Sequence, residues 1–414
     1  VDDSRFVPVN AAADHVAIVG AGLAGLAAAL HLTRRGVPVT LYEAGDRVGG
    51  QVVTDQVDGF LLDRGFQVHN TAYPEAARLL DEPALRFGEF LRGALLCEPG
   101  RRHLVADPRV RPQAAGAVLT APLGSVRDRV ALARLAATAL LTPVSRLKKV
   151  PETSTEDYLR SVGLSEVTLD RFLRPFLGGV FLESALSTSS RFFLLSWHCF
   201  VHGRSVLPAA GIGAIPAQLA AHLPPGTLRL GHRLDALPDD AAAVIVATDT
   251  AAAHRFLPEL GPAPALTSVT TIYHASDAPP LREAAICLDG TGHPTIANTV
   301  VLTNAVPSYA PHGRHLISTS VLAPEASEND VRAALPLFYG DAVADFEHVA
   351  TVAVGRATPV QPPPLGTLRR PVRVRPGYYV AGAHRDTAST QGALVSGRRA
   401  AAAVLSDLHL KETP

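Results

Sequence analysis

Gly20, Gly22 and Gly25, spaced G-x-G-x-x-G, and Glu43, 18 residues beyond the last of them, are the residues whose types and spacing most directly imply a chemistry. In a dinucleotide fold the first glycine makes a tight turn. The second lets the main chain approach a pyrophosphate, and the third lets the following helix pack against its strand. Leu23 and Ala24 stand where that helix begins and where its free N–H groups face phosphate. A carboxylate at the end of the next strand accepts hydrogen bonds from a ribose diol and repels a 2′-phosphate. The elements that must position these groups fall in order: an apolar run over 15–19, an Ala/Leu-rich helix pattern to about residue 35, and a second apolar run over 37–42 ending at Glu43. A bare glycine triplet is weak in a chain with 33 glycines, whereas the ordered β-α-β context makes it strong.

Four residues past Glu43 comes Arg47-Val-Gly49-Gly50. A guanidinium pairs with phosphate oxygens, and paired glycines let the main chain pass close to a bulky cofactor. Glu-x3-Arg-x-Gly-Gly resembles the extension in flavoproteins of the amine oxidase, phytoene desaturase and protoporphyrinogen oxidase superfamily. The resemblance implies FAD, not NAD, as the bound nucleotide. The block YYVAGAHRDTASTQGALVSGRRAAAAVL from Tyr378 resembles the closing motif of the same superfamily, a strand, a loop, and a helix whose N-terminus faces the flavin. It implies cofactor contacts at Gly382, Ala383, Thr390, Gln391 and Gly392. The segment Leu62-Asp63-Arg64-Gly65-Phe66-Gln67-Val68 resembles one that crosses near the isoalloxazine ring, so Asp63, Gly65, Phe66 and Gln67 join the candidate cofactor residues. One departure stands out. The superfamily's aspartate after the strand is Ala383 here, leaving His384 or Asp386 as the replacement acceptor for a ribityl hydroxyl. A lost hydrogen bond of that kind costs roughly 1.5–3 kcal/mol.

The fold class expected is α/β: a Rossmann-like FAD-binding domain of glutathione-reductase type, interleaved with a mixed α+β substrate domain. The FAD-binding segments are placed at 15–75, 203–262 and 351–414. The substrate domain takes 76–202, mostly helical with proline punctuation, and a β-rich 263–350. With 414 residues the chain exceeds one ordinary domain, and 47% apolar with 18% charged residues marks it as globular. A formal net charge of zero and no basic stretch interleaved with aromatics exclude nucleic acid as a partner. Residues 1–14 are acidic and carry no apolar signal-peptide core. The apolar helix pattern over 130–141 is broken by Arg134 and is too short to span a bilayer, which excludes a transmembrane segment and leaves peripheral membrane contact open. Cys97, Cys199 and Cys287 are far apart and odd in number, so neither a disulfide framework nor a metal site is expected, and a cytoplasmic setting is simplest.

One dinucleotide site implies that electrons come from an organic substrate and leave to oxygen, a quinone or a separate carrier. In amine oxidases of the superfamily a lysine and a water sit by the flavin, with an aromatic cage. The lysines here are Lys148, Lys149 and Lys411, and Thr390-Gln391 stands where a cage tyrosine would fall. Both departures favour hydride abstraction from a C–H bond of an apolar small molecule, desaturase- or dehydrogenase-like. An amine oxidase with a non-lysine site and a degenerate flavin-binding protein without catalysis are the alternatives. His69 and His384 are the candidate catalytic residues, as proton carriers near neutral pH; a hydrogen-bonded structural role competes at both. The nearest cysteine to the closing motif is Cys287, so the FAD is expected to be non-covalent.

Overall fold

A computed structural model describes residues 15–107, 109–112, 116, 121–292, 295–366 and 368–408. The acidic stretch 1–14 and the tail bearing Lys411 lie outside the described residues. The chain divides into two units, one of Val1–Val52, Ile215–Pro264 and Arg369–Pro414, the other of Val53–Ala214 and Ala265–Leu368.

In the first unit, Val16–Val19, Val39–Tyr42, Ala243–Val246 and Tyr378–Val380 are short, buried runs rich in β-branched and aromatic residues. Such runs suit a parallel sheet covered on both faces. They pair in parallel, with Leu228–Arg229 beyond Val39–Tyr42 and an antiparallel Arg373–Arg375 at the other edge. Two helices, Leu23–Thr33 and Thr390–Asp407, lie against each other beside this sheet. They approach closely because Gly397 faces the backbone of Ala24, where a Cβ would collide with the Ala24 carbonyl oxygen.

The second unit is built on a mostly antiparallel sheet, seven-stranded among the described residues, in the order Glu347–Val354, Val269–Ser276, His315–Val321, Asn298–Val301, Ile286–Asp289, Gly93–Glu98, Arg101–Ala106. One face carries Ile272, Cys287, Ile317, Phe338 and Tyr339 in a continuous apolar core. Helices Val126–Leu141, Arg174–Phe181 and Ser190–His202 belong to this unit as well.

The structure differs from the sequence expectation in one stretch of secondary structure and in where the units divide. Gly93–Glu98 and Arg101–Ala106 form a hairpin within a stretch expected to be mostly helical. The sign was Pro99-Gly100, a turn dipeptide with Gly100 at φ +70°. The divisions between units fall after Val52, Ala214, Pro264 and Leu368, where the sequence placed them after residues 75, 202, 262 and 350. Thr54–Val57 pairs with Phe60–Asp63, and Asp63 is tied by hydrogen bonds to Tyr273 and Tyr309 of the second unit, which draws the whole hairpin there.

Candidate functional site

In the first unit the chain leaves Val16–Val19 at Gly20, which has φ +103° and whose added Cβ would lie 2.7 Å from the Ala247 carbonyl oxygen. Only glycine meets both demands. Gly25 faces the Gly20 carbonyl so closely that a Cβ there would collide with it. Gly22 is different, since a Cβ on it would meet nothing nearer than 4.0 Å, the carbonyl of Gly49. Gly22 precedes helix Leu23–Thr33, whose N-terminus has no side-chain cap and no acidic residue in its first turn. Gly22 and Gly49 form a parallel bridge, and the Gly49 N–H donates to the Ala21 carbonyl at 2.9 Å. Gly50 follows at φ +62° and is exposed. Two glycine stretches therefore run side by side at an uncapped helix N-terminus. That is a bare-backbone cradle with a positive end, and it fits a pyrophosphate.

Glu43 closes this turn. Its Oε2 accepts from the Ala21 N–H and its Oε1 from the Gly45 N–H, both at 2.8 Å. The carboxylate thus fixes the loop with one lone pair of each oxygen, and each oxygen has a second lone pair able to accept from a further donor. Leu23 and Ala24 are buried side chains whose backbone forms the first helical turn, and Arg47 is exposed on the loop that follows Glu43.

The closing segment lies in the same unit. Ser389 caps helix Thr390–Asp407, accepting from the Gly392 N–H at 3.0 Å. Gly392 packs on the Thr387 carbonyl, where a Cβ would collide. Thr390 and Gln391 are half-buried in the first turn. Gly382 sits at φ +150°, and a Cβ on it would lie 2.6 Å from Nδ1 of His384, so the imidazole is folded back over Gly382. Ala383 is half-buried. The Asp386 carboxylate is engaged by Arg399 and Arg369, each at 3.4 Å, and by the Thr387 N–H at 3.0 Å. Of the two replacement acceptors considered at this loop, His384 is the one beside Gly382.

His384 is 4% exposed, and burial, reinforced by the positive charge of Arg385 and by His254, pushes its pKa down to about 3. Burial alone pushes His69 down to about 4. His69 belongs to the second unit, stacked on Phe87 at 5.4 Å and edge-on to Tyr73 at 5.7 Å. Burial thus makes both imidazoles weaker bases than a free histidine. Each has an Nε2 with no hydrogen-bond partner among the described residues.

The other candidates of the second unit form a separate arrangement. Asp63 is 3% exposed, with Oδ1 accepting from Thr54 Oγ1 at 2.5 Å and the Ile212 N–H at 3.0 Å, and Oδ2 accepting from the Tyr309 hydroxyl at 2.8 Å. Tyr273 donates to the Asp63 carbonyl at 2.6 Å. Burial pushes the carboxyl pKa up to about 6 against the pull of these donors. Gly211, at φ +87°, packs directly on Thr54, and the Gly213 N–H donates to the Thr54 hydroxyl at 2.9 Å. The second Gly-x-Gly is therefore a turn that receives the hairpin of Asp63. Gly65 is at φ +88°, Phe66 packs edge-on against Phe90 at 5.9 Å, and Gln67 Nε2 donates to the Arg64 carbonyl at 3.0 Å. The sequence offered no signal for Thr54, Tyr273 and Tyr309 as partners of Asp63. Among the described residues no group of three or more His, Cys, Asp or Glu side chains is placed to hold a metal ion.

The pattern of the family described as "Flavin containing amine oxidoreductase" matches residues 23–405. Protoporphyrinogen oxidase 2 of Arabidopsis thaliana is 30% identical over 217 residues, covering 50% of this chain and 39% of the plant protein. Phytoene dehydrogenase of Streptomyces griseus is 49% identical over 60 residues, 14% of this chain and 12% of that protein. The matched region is thus well under two thirds of either relative's length. The crystal structure of cyclohexylamine oxidase from Brevibacterium oxydans superposes with a TM-score of 0.67 at 16% identity, covering 95% of this chain and 99% of the other, which establishes a shared fold.

Proposed function

Because this chain belongs to the flavin containing amine oxidoreductase family, whose members are FAD-dependent oxidoreductases, we propose that it abstracts hydride from a C–H bond of a largely apolar small molecule. The product is a C=C bond, and the electrons pass to oxygen or a quinone. The observation that carries this reading is the placement of the lysines. Among the described residues they are Lys148 and Lys149, which follow the short helix Val144–Leu147 at the surface of the second unit, with Lys149 exposed. Neither belongs to the glycine cradle, the closing loop or the Asp63 cluster, so the lysine-assisted amine chemistry of the family's amine oxidases has no counterpart among them.

FAD supplies a two-electron acceptor when bound. The chain's own groups hold and orient it in this reading. The backbone at Gly22, Leu23, Ala24 and Gly25 would take the pyrophosphate, with Arg47, Gly49 and Gly50 alongside. Glu43 would accept from the adenosine ribose. The N-terminus of helix Thr390–Asp407, with Thr390, Gln391 and Gly392, would offer its positive end to the negative charge of reduced flavin. Gly382, Ala383 and His384 would hold the ribityl chain. Gly65, Phe66 and Gln67 follow Asp63, whose own carboxylate anchors the hairpin. No side chain is assigned as the base, since burial makes His69 and His384 weak proton acceptors, and the proton lost beside the hydride goes to solvent. The cofactor is non-covalent, and free thiols at Cys97, Cys199 and Cys287 suit a cytoplasmic location.

Anaerobic mixing of the purified protein with polyenes, tetrapyrroles and amines tests the substrate class. Loss of the oxidised-flavin absorbance with an apolar polyene or tetrapyrrole is expected. Bleaching by amines alone would replace this reading with a lysine-free amine oxidase.

A further inference from the structure

Eight large apolar side chains stand out as exposed among the described residues, and five of them fall in one short stretch. They are Val126 (76%), Val130 (45%), Leu140 (37%), Leu141 (76%) and Val144 (36%). Ala133 and Ala137 are exposed too. On helix Val126–Leu141 these positions follow one another at spacings of four, three, four and three residues, so they form one stripe roughly 100° wide. The orientation of the helix is fixed from the other side. Asp128, Ala131, Leu135 and Ala139 are buried, and the Ala139 carbonyl lies 2.8 Å from Nδ1 of His198 on helix Ser190–His202. The apolar stripe therefore points outward because the core holds the opposite face.

The charges around the stripe are one-sided. Residues 121–150 contain Arg127, Arg129, Arg134, Arg146, Lys148 and Lys149 against a single acid, Asp128, in a chain whose formal net charge is zero. Asp128 is 2% exposed and locked in a capping box with Ser125, so it presents no negative charge at the surface. By helical position Arg127 and Arg134, both exposed, border the stripe on one side; Arg129, on the other, turns its guanidinium back to the Gly124 and Ala121 carbonyls, while Arg146 and Lys149 are exposed beyond the C-terminal end of the stripe. An outward apolar stripe edged by cations matches the boundary between acyl chains and anionic headgroups. A second copy of the same surface would set these cations against one another, which disfavours self-association.

We propose that helix Val126–Leu141 and the turn through Lys149 dock the protein on an anionic lipid surface. Val126, Val130, Leu140, Leu141 and Val144 enter the acyl boundary, and the exposed Arg127, Arg134, Arg146 and Lys149 meet the headgroups. The helix has 16 residues and includes arginines, so it lies in the interface and does not cross it. The proposal rests on exposure and charge, and stands independently of the flavin reading.

Co-sedimentation of the purified holoprotein tests it, using vesicles of phosphatidylcholine alone and of phosphatidylcholine with phosphatidylglycerol in equal parts. Binding is expected to the anionic vesicles and to weaken with added salt. Leu141→Asp and Arg127→Glu with Arg134→Glu should each lower the vesicle partition coefficient about tenfold. Flavin content and circular dichroism should stay unchanged, because the altered side chains are exposed; Leu141→Ser serves in place of any variant that misfolds. Absence of vesicle binding would overturn the proposal. So would binding that Leu141→Asp and Leu141→Ser leave intact, or a dimer in solution that these substitutions dissociate.

Discussion

The Glu43 carboxylate accepts the N–H of Ala21 at 2.8 Å, so the end of the second strand is tied to the middle of the glycine turn. The same carboxylate takes the Gly45 N–H, and the Gly49 N–H returns to the Ala21 carbonyl. One acid thus shapes the turn and presents its remaining lone pairs outward. Glu43→Ala should therefore weaken FAD binding by about tenfold or more, equivalent to about 1.4 kcal/mol. The sheet stays intact, because the side chain is only partly buried. Titration of apoprotein with FAD checks this. Unchanged affinity would refute both the ribose role and the shaping role.

The closing loop makes a second, separable prediction. Ala383 offers no acceptor, and His384 folds over Gly382. Ala383→Asp should tighten FAD by about one to two factors of ten if a charge-assisted hydrogen bond worth roughly 1.5–3 kcal/mol is gained. If His384 already serves the ribityl chain, Ala383→Asp does little and His384→Ala weakens binding. FAD dissociation constants for both variants separate the cases. Two unchanged constants would place the loop away from the cofactor.

The glycine turn, Glu43 and the closing helix were legible in the sequence because each is local. Strand, turn and helix cues lie within about thirty residues, and glycine requirements follow from backbone geometry alone. The hairpin around Pro99-Gly100 was legible in principle, but the dipeptide passed as helix punctuation. Asp63 was picked out for the cofactor by resemblance, whereas its surroundings depend on Tyr273 and Tyr309, more than two hundred residues away. No periodicity carries such a contact. The protonation state of the two candidate histidines was hidden for a related reason. Their residue type was visible, but the burial that lowers their pKa to about 4 and about 3 is a tertiary property.

Asp63 gives a pH prediction with a definite sign. Its folded pKa of about 6 lies above the ordinary value for an aspartate, so the folded state favours the protonated form. Its stabilising contribution is full below the unfolded pKa and is lost as pH rises through about 6. His69 and His384 act in the opposite sense, contributing above their unfolded pKa and losing that contribution as pH falls through about 4 and about 3. Asp63→Asn removes only the first effect. Its stability relative to the unsubstituted protein should climb between about pH 4 and 6, by up to about 3 kcal/mol, and then level off. Urea unfolding across that range checks it. A flat or falling difference would mean that the carboxyl ionises at least as freely in the folded chain as in the unfolded one.

Flavin content tests the central claim most directly. The purified protein, acid-precipitated, should release FAD into the supernatant at about one per chain and leave a colourless pellet, since the cradle at Gly22, Gly49 and Gly50 holds the cofactor without a covalent link. A protein that carries no flavin and takes up no added FAD would contradict the account at its root. Colour retained in the pellet would contradict the non-covalent attachment.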